Sequence, residues 1–275
     1  MDSFSGKVVL ITGASSGIGA ALARALAARG AKVALLARRL PRLQELASEI
    51  GKGGGNALAI ACDVTKADDL ESAIARIRRE LGFVDIAVAN AGFEVTGLLE
   101  TLTLEDYRRQ FETNVFGVLR TIYATLDDLK KTHGKLVLMG SLLGHLALPG
   151  TSAYSMSKFA VAALGQALRL ELGAYGISVV LVSPGNVETE IRKVDNRDIL
   201  HAELDDPIPA WLRTSADHAA ADIVTAMSRN RREAVITPLG KAVVFAERHF
   251  PTLVSAIVRR AHIRGRSEPT RQRSE

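Results

Sequence analysis

Residues 7–30 read KVVLITGASSGIGAALARALAARG. An apolar run at 7–12 leads into Thr12-Gly13-Ala14-Ser15-Ser16-Gly17-Ile18-Gly19, and an alanine- and leucine-rich stretch then ends at Gly30, a natural helix stop. That order predicts a strand, a tight turn and a helix over 17–29. Glycines permit the turn and let the backbone approach a pyrophosphate at the helix N-terminus. The strand–loop–helix context, more than the glycines themselves, marks a nucleotide-binding turn.

The alternation continues along the chain. Runs rich in Val, Ile, Leu and Ala at 7–12, 32–37, 57–62, 84–89, 135–140, 177–182 and 234–237 predict seven strands. Helical patterns fall at 17–29, 41–50, 66–81, 104–131, 152–174 and 215–229, and Pro41 can open the second at its first turn. Strands apolar on both faces suit a parallel sheet covered on both sides. The pattern predicts an α/β fold: a doubly wound, mostly parallel seven-stranded sheet with right-handed crossovers and helices on both faces. One domain is expected over 1–238. Within it, the polar stretch at about 186–213 holds Pro207, Pro209 and the only tryptophan, Trp211, and reads as a functional lid. An apolar and basic helical extension covers 239–263, and 264–275 reads as a disordered basic tail.

Composition narrows the class. Of 275 residues 47% are apolar and 24% charged, which excludes general disorder. The net charge of +5 is uneven: from Arg229 onward eleven Lys/Arg face four Asp/Glu, while residues 1–228 hold 24 basic and 26 acidic side chains. A nucleic-acid-binding core would carry a basic stripe across the fold, so none is expected. Cys62 is the only cysteine, which rules out an intrachain disulfide and a cysteine-based zinc site and suits a reducing compartment. The first strand begins by Lys7, leaving no room for a signal peptide, and no apolar run reaches the ~18 residues of a spanning helix. The expected location is the cytoplasm, with peripheral contact at a membrane left open.

Polar residues gather at the carboxyl ends of the predicted strands, where open α/β sheets bind ligands. Arg38 and Arg39 follow the second strand, Asp63 the third, Asn90 and Gly92 the fourth, Ser141 the fifth and Pro184-Gly185 the sixth. Tyr154 and Lys158, four apart, share one helix face. A neighbouring ammonium favours the phenolate and lowers a phenol pKa of ~10 by ~1–3 units. The phenol then becomes a usable acid or base near neutral pH.

With these residues assembled, the chain resembles the short-chain dehydrogenase/reductase family over about residues 5–190. Thr12-Gly13-x-x-x-Gly17-Ile18-Gly19 resembles the family's cofactor loop, with Ser15 and Ser16 inside it. Asp63-Val64 resembles its adenine-contacting pair, and Asn90-Ala91-Gly92 its strand-supporting motif. Asn114, Ser141, Tyr154 and Lys158 match its catalytic tetrad at separations of 27, 13 and 4. Pro184-Gly185-x-Val187-x-Thr189 resembles the segment that holds the nicotinamide. The resemblance implies a Rossmann fold and an oxidoreductase. In it Tyr154 exchanges the proton, Lys158 tunes Tyr154 and binds the nicotinamide ribose, Ser141 orients the substrate oxygen, and Asn114 holds a water-linked relay.

Cofactor choice turns on the end of the second strand, where an acid would bind a ribose 2′-hydroxyl and arginine a 2′-phosphate. Here Ala37 is followed by Arg38 and Arg39, with no acid between Lys32 and Glu45. NADP(H) is the expected cofactor, with Arg38 as the main phosphate contact. Ser16 departs from many relatives of that preference, which carry a basic residue there.

No metal site is expected from the spacing of the histidines. His145, four residues past Ser141, either lines the substrate cleft or is a plain loop histidine, the latter being the simpler reading. Leu142, Leu143, Leu146, Leu148, Phe93, Val95 and Ile191 suggest an apolar entrance. A lipophilic ketone or secondary alcohol, such as a steroid or fatty-acyl compound, is the expected substrate. The 239–263 extension either packs on its own sheet or a partner subunit, the preferred reading, or rests on a membrane as an interfacial helix pair. The resemblance implies a homodimer or homotetramer. Two other functions compete: a non-catalytic NADP-binding regulator, and a nucleotide-sugar epimerase or dehydratase on a related fold.

Overall fold

The apolar residues 8–12 form the central strand β1 (Val8–Thr12) of a seven-stranded sheet. The computed structural model describes residues 3–197, 199–206 and 208–260. The other strands are β2 (Lys32–Ala37), β3 (Asn56–Ala61), β4 (Ile86–Ala89), β5 (Lys135–Met139), β6 (Ser178–Ser183) and β7 (Glu233–Val235). Their order is β3-β2-β1-β4-β5-β6-β7, and every pairing is parallel. The chain winds outward from β1 to β3, returns, and winds the other way from β4. The crevice between the carboxyl ends of β1 and β4 is therefore the switch point where such sheets bind ligands.

Nine α-helices complete the described fold: α1 (Gly17–Ala27), α2 (Leu40–Lys52), α3 (Ala67–Glu80), α4 (Leu104–Phe111), α5 (Gly117–Thr132), α6 (Ser152–Gly173), α7 (Ala216–Ser228), α8 (Pro238–His249) and α9 (Pro251–Arg260). Strand residues alternate between two cores, as the pleat requires. Val9 and Ile11 pack with Leu22, Leu26, Leu43, Leu46, Ile223 and Met227 of α1, α2 and α7. Val8 and Leu10 pack with Leu70, Ile77, Val118, Leu129 and Val161 of α3, α5 and α6. This is why the strands read as continuous apolar runs.

One expectation changes. The single helix expected at 104–131 is interrupted by a π-helical turn, Glu112–Phe116, that separates α4 from α5. The wider turn carries Asn114, whose amide is bonded to the Phe93 backbone, and such insertions recur at functional sites. Of the two packed arrangements expected for the C-terminal extension, that on its own sheet is formed only in small part. Only Gly240 and Val244 of α8 are buried, and α9 buries no residue. The tail expected at 264–275 lies outside the described residues. Among the described residues no helix is long and apolar enough to cross a membrane.

The 186–213 segment is irregular but well tied. Val187 bridges Thr214, Arg192 holds Asp206 through two bonds, and Asn196 exchanges two bonds with the Thr96 backbone.

Candidate active site

Thr12 and Asn90 lock the glycine turn to the end of β4. The Thr12 hydroxyl accepts from the Asn90 and Ala91 N–H groups at 3.0 and 3.1 Å, and Asn90 Nδ2 donates to the Thr12 and Gly13 carbonyls at 2.9 and 3.2 Å. Gly13 has φ +67, and a Cβ there would lie 2.8 Å from Ala91 Cα. A Cβ on Gly19 would lie 2.4 Å from the Gly13 carbonyl oxygen. Ser16 precedes the helix in extended conformation, and the first turn of α1 carries no acid, so its N–H groups and dipole favour an anion.

Beside this turn Arg39 is half-buried, whereas Arg38 is exposed. Arg39 donates to Ser15 Oγ from Nε and Nη2 at 3.2 and 3.0 Å and to Ser16 Oγ at 2.9 Å. A guanidinium thus stands over Ser16, the position where a basic residue was missed in the sequence. Arg39 and Arg42 both hold Glu190, at 3.0 Å and at 2.8 and 2.9 Å. Burial pushes the Glu190 carboxyl up, but the bonds from Arg42 and Arg39 outweigh it and leave it below the ordinary carboxylate range. Asp63 Oδ1 accepts from the Thr65 N–H and hydroxyl, and Val64 is buried where Gly117 passes close by.

Ser141 caps a single 3₁₀ turn, Leu142–Gly144, and its Oγ accepts from the Leu143 N–H at 3.1 Å. On α6, Tyr154 and Lys158 are both buried, and the Lys158 Nζ lies 5.6 Å from the centre of the Tyr154 ring. Lys158 donates to the Met139 carbonyl at 2.8 Å. Burial pushes its pKa down to about 8, against the opposing pull of Glu94. Asn114 is fully buried: its Oδ1 accepts from the Phe93 N–H, and its Nδ2 donates to the Phe93 carbonyl and Ser157 Oγ, at 3.1, 3.1 and 3.2 Å. These bonds make Asn114 a brace between the end of β4 and α6.

The short chain dehydrogenase family model matches residues 7–200. The chain belongs to the short-chain dehydrogenase family. It is 36% identical over 242 residues to 11-beta-hydroxysteroid dehydrogenase 1A of Arabidopsis thaliana, covering 82% of this chain and 67% of that protein. It is 40% identical over 188 residues to glycine betaine reductase ATRR of Emericella nidulans, covering 68% of this chain but only 15% of that much longer protein. Among solved structures, a Thermococcus sibiricus alcohol dehydrogenase complexed with 5-hydroxy-NADP is similar at 30% identity and TM-score 0.74, covering 84% of this chain and 95% of that one. A Burkholderia phymatum family member in complex with NAD shares the fold at TM-score 0.81 and 23% identity, over 92% of this chain and 96% of that one.

Within this short-chain dehydrogenase the expected substrate-side residues are partly engaged in packing. His145 turns its Nε2 to Ser183 Oγ at 2.9 Å and to Glu233 at 3.2 Å, a packing role at the β6–β7 edge. Burial lowers its pKa; Glu233 opposes this and Arg248 adds to it. Phe93 and Val95 are buried in a small cluster with Ala153, Leu102, Tyr107 and Val194, so that core claims part of the expected apolar entrance. Leu143 is also buried, and Leu142 packs where Gly185 and Gly240 leave room for it. In the Pro184–Thr189 stretch, Val187 is buried and Thr189 lies against Gly17 of the turn. Among the described residues no group of three or more His, Cys, Asp or Glu converges as a metal site. Burial pushes the Cys62 thiol up to about 12, aided by Asp69 and Asp63.

Sequence reasoning missed Gln110, Glu94, Arg42 and Glu190. Gln110 staples the 93–95 backbone, donating to the Phe93 carbonyl and accepting from the Val95 N–H. Its spacing of four from Asn114 on a helical stretch was the available signal. Arg42 stands three residues after Arg39, and Glu190 follows Thr189 directly.

Proposed function

We propose that this chain is an NADP(H)-dependent oxidoreductase that interconverts a carbonyl and a secondary alcohol on a lipophilic substrate, a steroid, fatty-acyl or similar compound. The observation that carries the reading is the buried Tyr154–Lys158 pair, set beside the Ser141 turn at the carboxyl end of β5. The glycine turn fits a dinucleotide, because Gly13 and Gly19 let it pack tightly on Ala91, Asn90 and the Gly13 carbonyl, and that packing holds the α1 N-terminus at the crevice. When bound, the nicotinamide supplies or accepts the hydride.

The chain's own residues do the rest. Tyr154 donates its phenolic proton to the substrate oxygen in reduction and takes it back in oxidation. The Lys158 ammonium stabilises the phenolate. The Ser141 hydroxyl orients the substrate oxygen. Arg39 and Arg42 hold the 2′-phosphate, refining the choice of Arg38, and 186–213 covers the substrate. The steroid named for the Arabidopsis relative supports the lipophilic class. A carbonyl and alcohol panel followed by NADPH absorbance, with NADH alongside, tests this. Turnover of lipophilic ketones with NADPH is expected, and turnover confined to small charged substrates overturns it.

In the same reading the chain forms a homo-oligomer, supported by exposed Phe116, Tyr123, Phe159 and Leu170 around α5 and α6. The α8–α9 extension rests on an anionic membrane surface. Leu239, Phe245, Phe250, Leu253 and Ile257 are exposed, and the His249 ring joins Phe245 to Phe250 at 4.4 and 6.4 Å. Residues 238–275 carry eight Lys/Arg against three Asp/Glu, a charge that repels a second copy and attracts anionic lipid. Flotation with phosphatidylglycerol-containing vesicles should capture the full chain and release it when Phe245 and Leu253 become Ser. Equal recovery with and without vesicles overturns this contact.

A further inference from the structure

Glu190 sits on the guanidinium groups of both Arg39 and Arg42, and the same Arg39 reaches Ser15 and Ser16 in the glycine turn. Its carboxylate comes from a 3₁₀ turn, Glu190–Lys193, in the segment following β6, while both arginines come from the start of α2. The turn is anchored behind it. Glu188 donates its N–H to the Thr214 carbonyl at 2.9 Å, and Arg192 holds the Val187 carbonyl and Asp206. In front, Thr189 lies against Gly17.

We propose that Glu190 competes with the cofactor's 2′-phosphate for Arg39 and Arg42, so that it sets the preference between phosphorylated and unphosphorylated dinucleotide and leaves the arginines when the phosphate binds. This rests on the NADP(H) reading above. Charge decides it. A phosphomonoester brings about −1.5 to −2 at neutral pH, which two guanidinium groups already balance. A carboxylate held on the same donors would leave the cluster with an uncompensated negative charge. A dinucleotide lacking the 2′-phosphate makes no such demand, and Glu190 keeps both arginines while it binds. The pair is partly open to solvent, with side-chain exposures of 39% for Arg39 and Arg42 and 33% for Glu190, so screening tempers the competition without abolishing it.

Calorimetric titration of the full chain with 2′,5′-ADP and with 5′-AMP separates the possibilities, because the two probes differ only in the 2′-phosphate and neither carries a nicotinamide. Glu190→Gln and Glu190→Ala are each expected to bind 2′,5′-ADP about five- to tenfold more tightly than the parent, with 5′-AMP affinity changed less than about twofold. Hydrogen exchange of residues 189–193 should rise when 2′,5′-ADP is added to the parent chain. If the parent prefers 2′,5′-ADP over 5′-AMP yet both variants bind it no more tightly, Glu190 is no competitor and the proposal falls alone. If neither the parent nor the variants prefer 2′,5′-ADP, the NADP(H) reading falls and takes the proposal with it.

Discussion

The Lys158 ammonium donates to the Met139 carbonyl across 2.8 Å, tying the second turn of α6 to the last residue of β5, two positions before Ser141. One backbone carbonyl thereby aligns the helix that carries Tyr154 with the strand end that presents Ser141. The lysine gives up its water to do so, which is why its pKa falls from 10.5 to about 8.

That burial has a stability signature. Below about pH 8 the lysine is protonated in both states, and the folded chain bears the full cost of a buried cation. Between about 8 and 10.5 the unfolded chain binds more protons, so this contribution to stability improves as pH rises and levels off above 10.5. Lys158→Met should therefore stabilise the protein at pH 7, by about 1–2 kcal/mol once the lost Met139 bond and the abandoned Glu94 are set against the removed penalty. Urea unfolding of parent and variant at pH 7, 8.5 and 10 checks this. The advantage must shrink across the series, and a constant difference sinks it.

Tyr154→Phe keeps the ring that packs beneath Lys158 and removes only the hydroxyl. Turnover should drop roughly 100- to 10,000-fold, the usual contribution of a placed acid–base group. NADPH affinity, read by fluorescence titration, should stay within about twofold, because the phenolic proton serves the chemical step. More than a tenth of parental turnover would assign the proton transfer elsewhere.

Two glycine-to-alanine changes should behave oppositely. At Gly19 the new methyl meets the Gly13 carbonyl at 2.4 Å and Asn90 Nδ2 at 2.7 Å, so the turn must shift. Gly19→Ala should cost about 1–3 kcal/mol and weaken dinucleotide binding. Gly173 ends α6 with nothing within 4 Å of an added Cβ. Gly173→Ala should be neutral or stabilising by about 0.5–1 kcal/mol. Thermal melts with and without NADPH compare them, and similar losses in both variants would refute the steric account of the turn.

The sheet was legible in the sequence because a parallel strand buried on both faces has only one way to look, and Val8–Thr12 looks that way. The glycine turn was legible for a similar reason, since its close approaches exclude side chains. What escaped depended on contacts far apart in the chain. Nothing local says that Arg39 is half-buried against the glycine turn, because it is held there by Ser15 and by Glu190, 151 residues away. His145 was equally open until Ser183 and Glu233 were placed beside it. The π turn carries no periodic signature, because one turn's worth of residues cannot shift an apolar pattern visibly.

Asn114 gives the sharpest test of structure against resemblance. The resemblance implies a proton relay, whereas its side chain spends both Nδ2 protons and an Oδ1 lone pair on Phe93 and Ser157. Among the described residues, removing it takes the Oδ1 acceptor from the buried Phe93 N–H and one of two partners from the Phe93 carbonyl and from Ser157 Oγ. Asn114→Ala should therefore lose about 2–3 kcal/mol of stability, and Ser157→Ala less, because among the described residues Ser157 Oγ meets two groups, the Asn114 amide and the Tyr154 carbonyl, against three bonds made by Asn114. The two losses should couple by about 0.5–1 kcal/mol in a double-mutant cycle, as expected of direct partners. A pure relay residue would show the reverse: unchanged unfolding free energy, no coupling to Ser157, and an altered solvent isotope effect and pH profile of turnover. The brace predicts that the stability loss comes first and that turnover falls because Tyr154 is displaced.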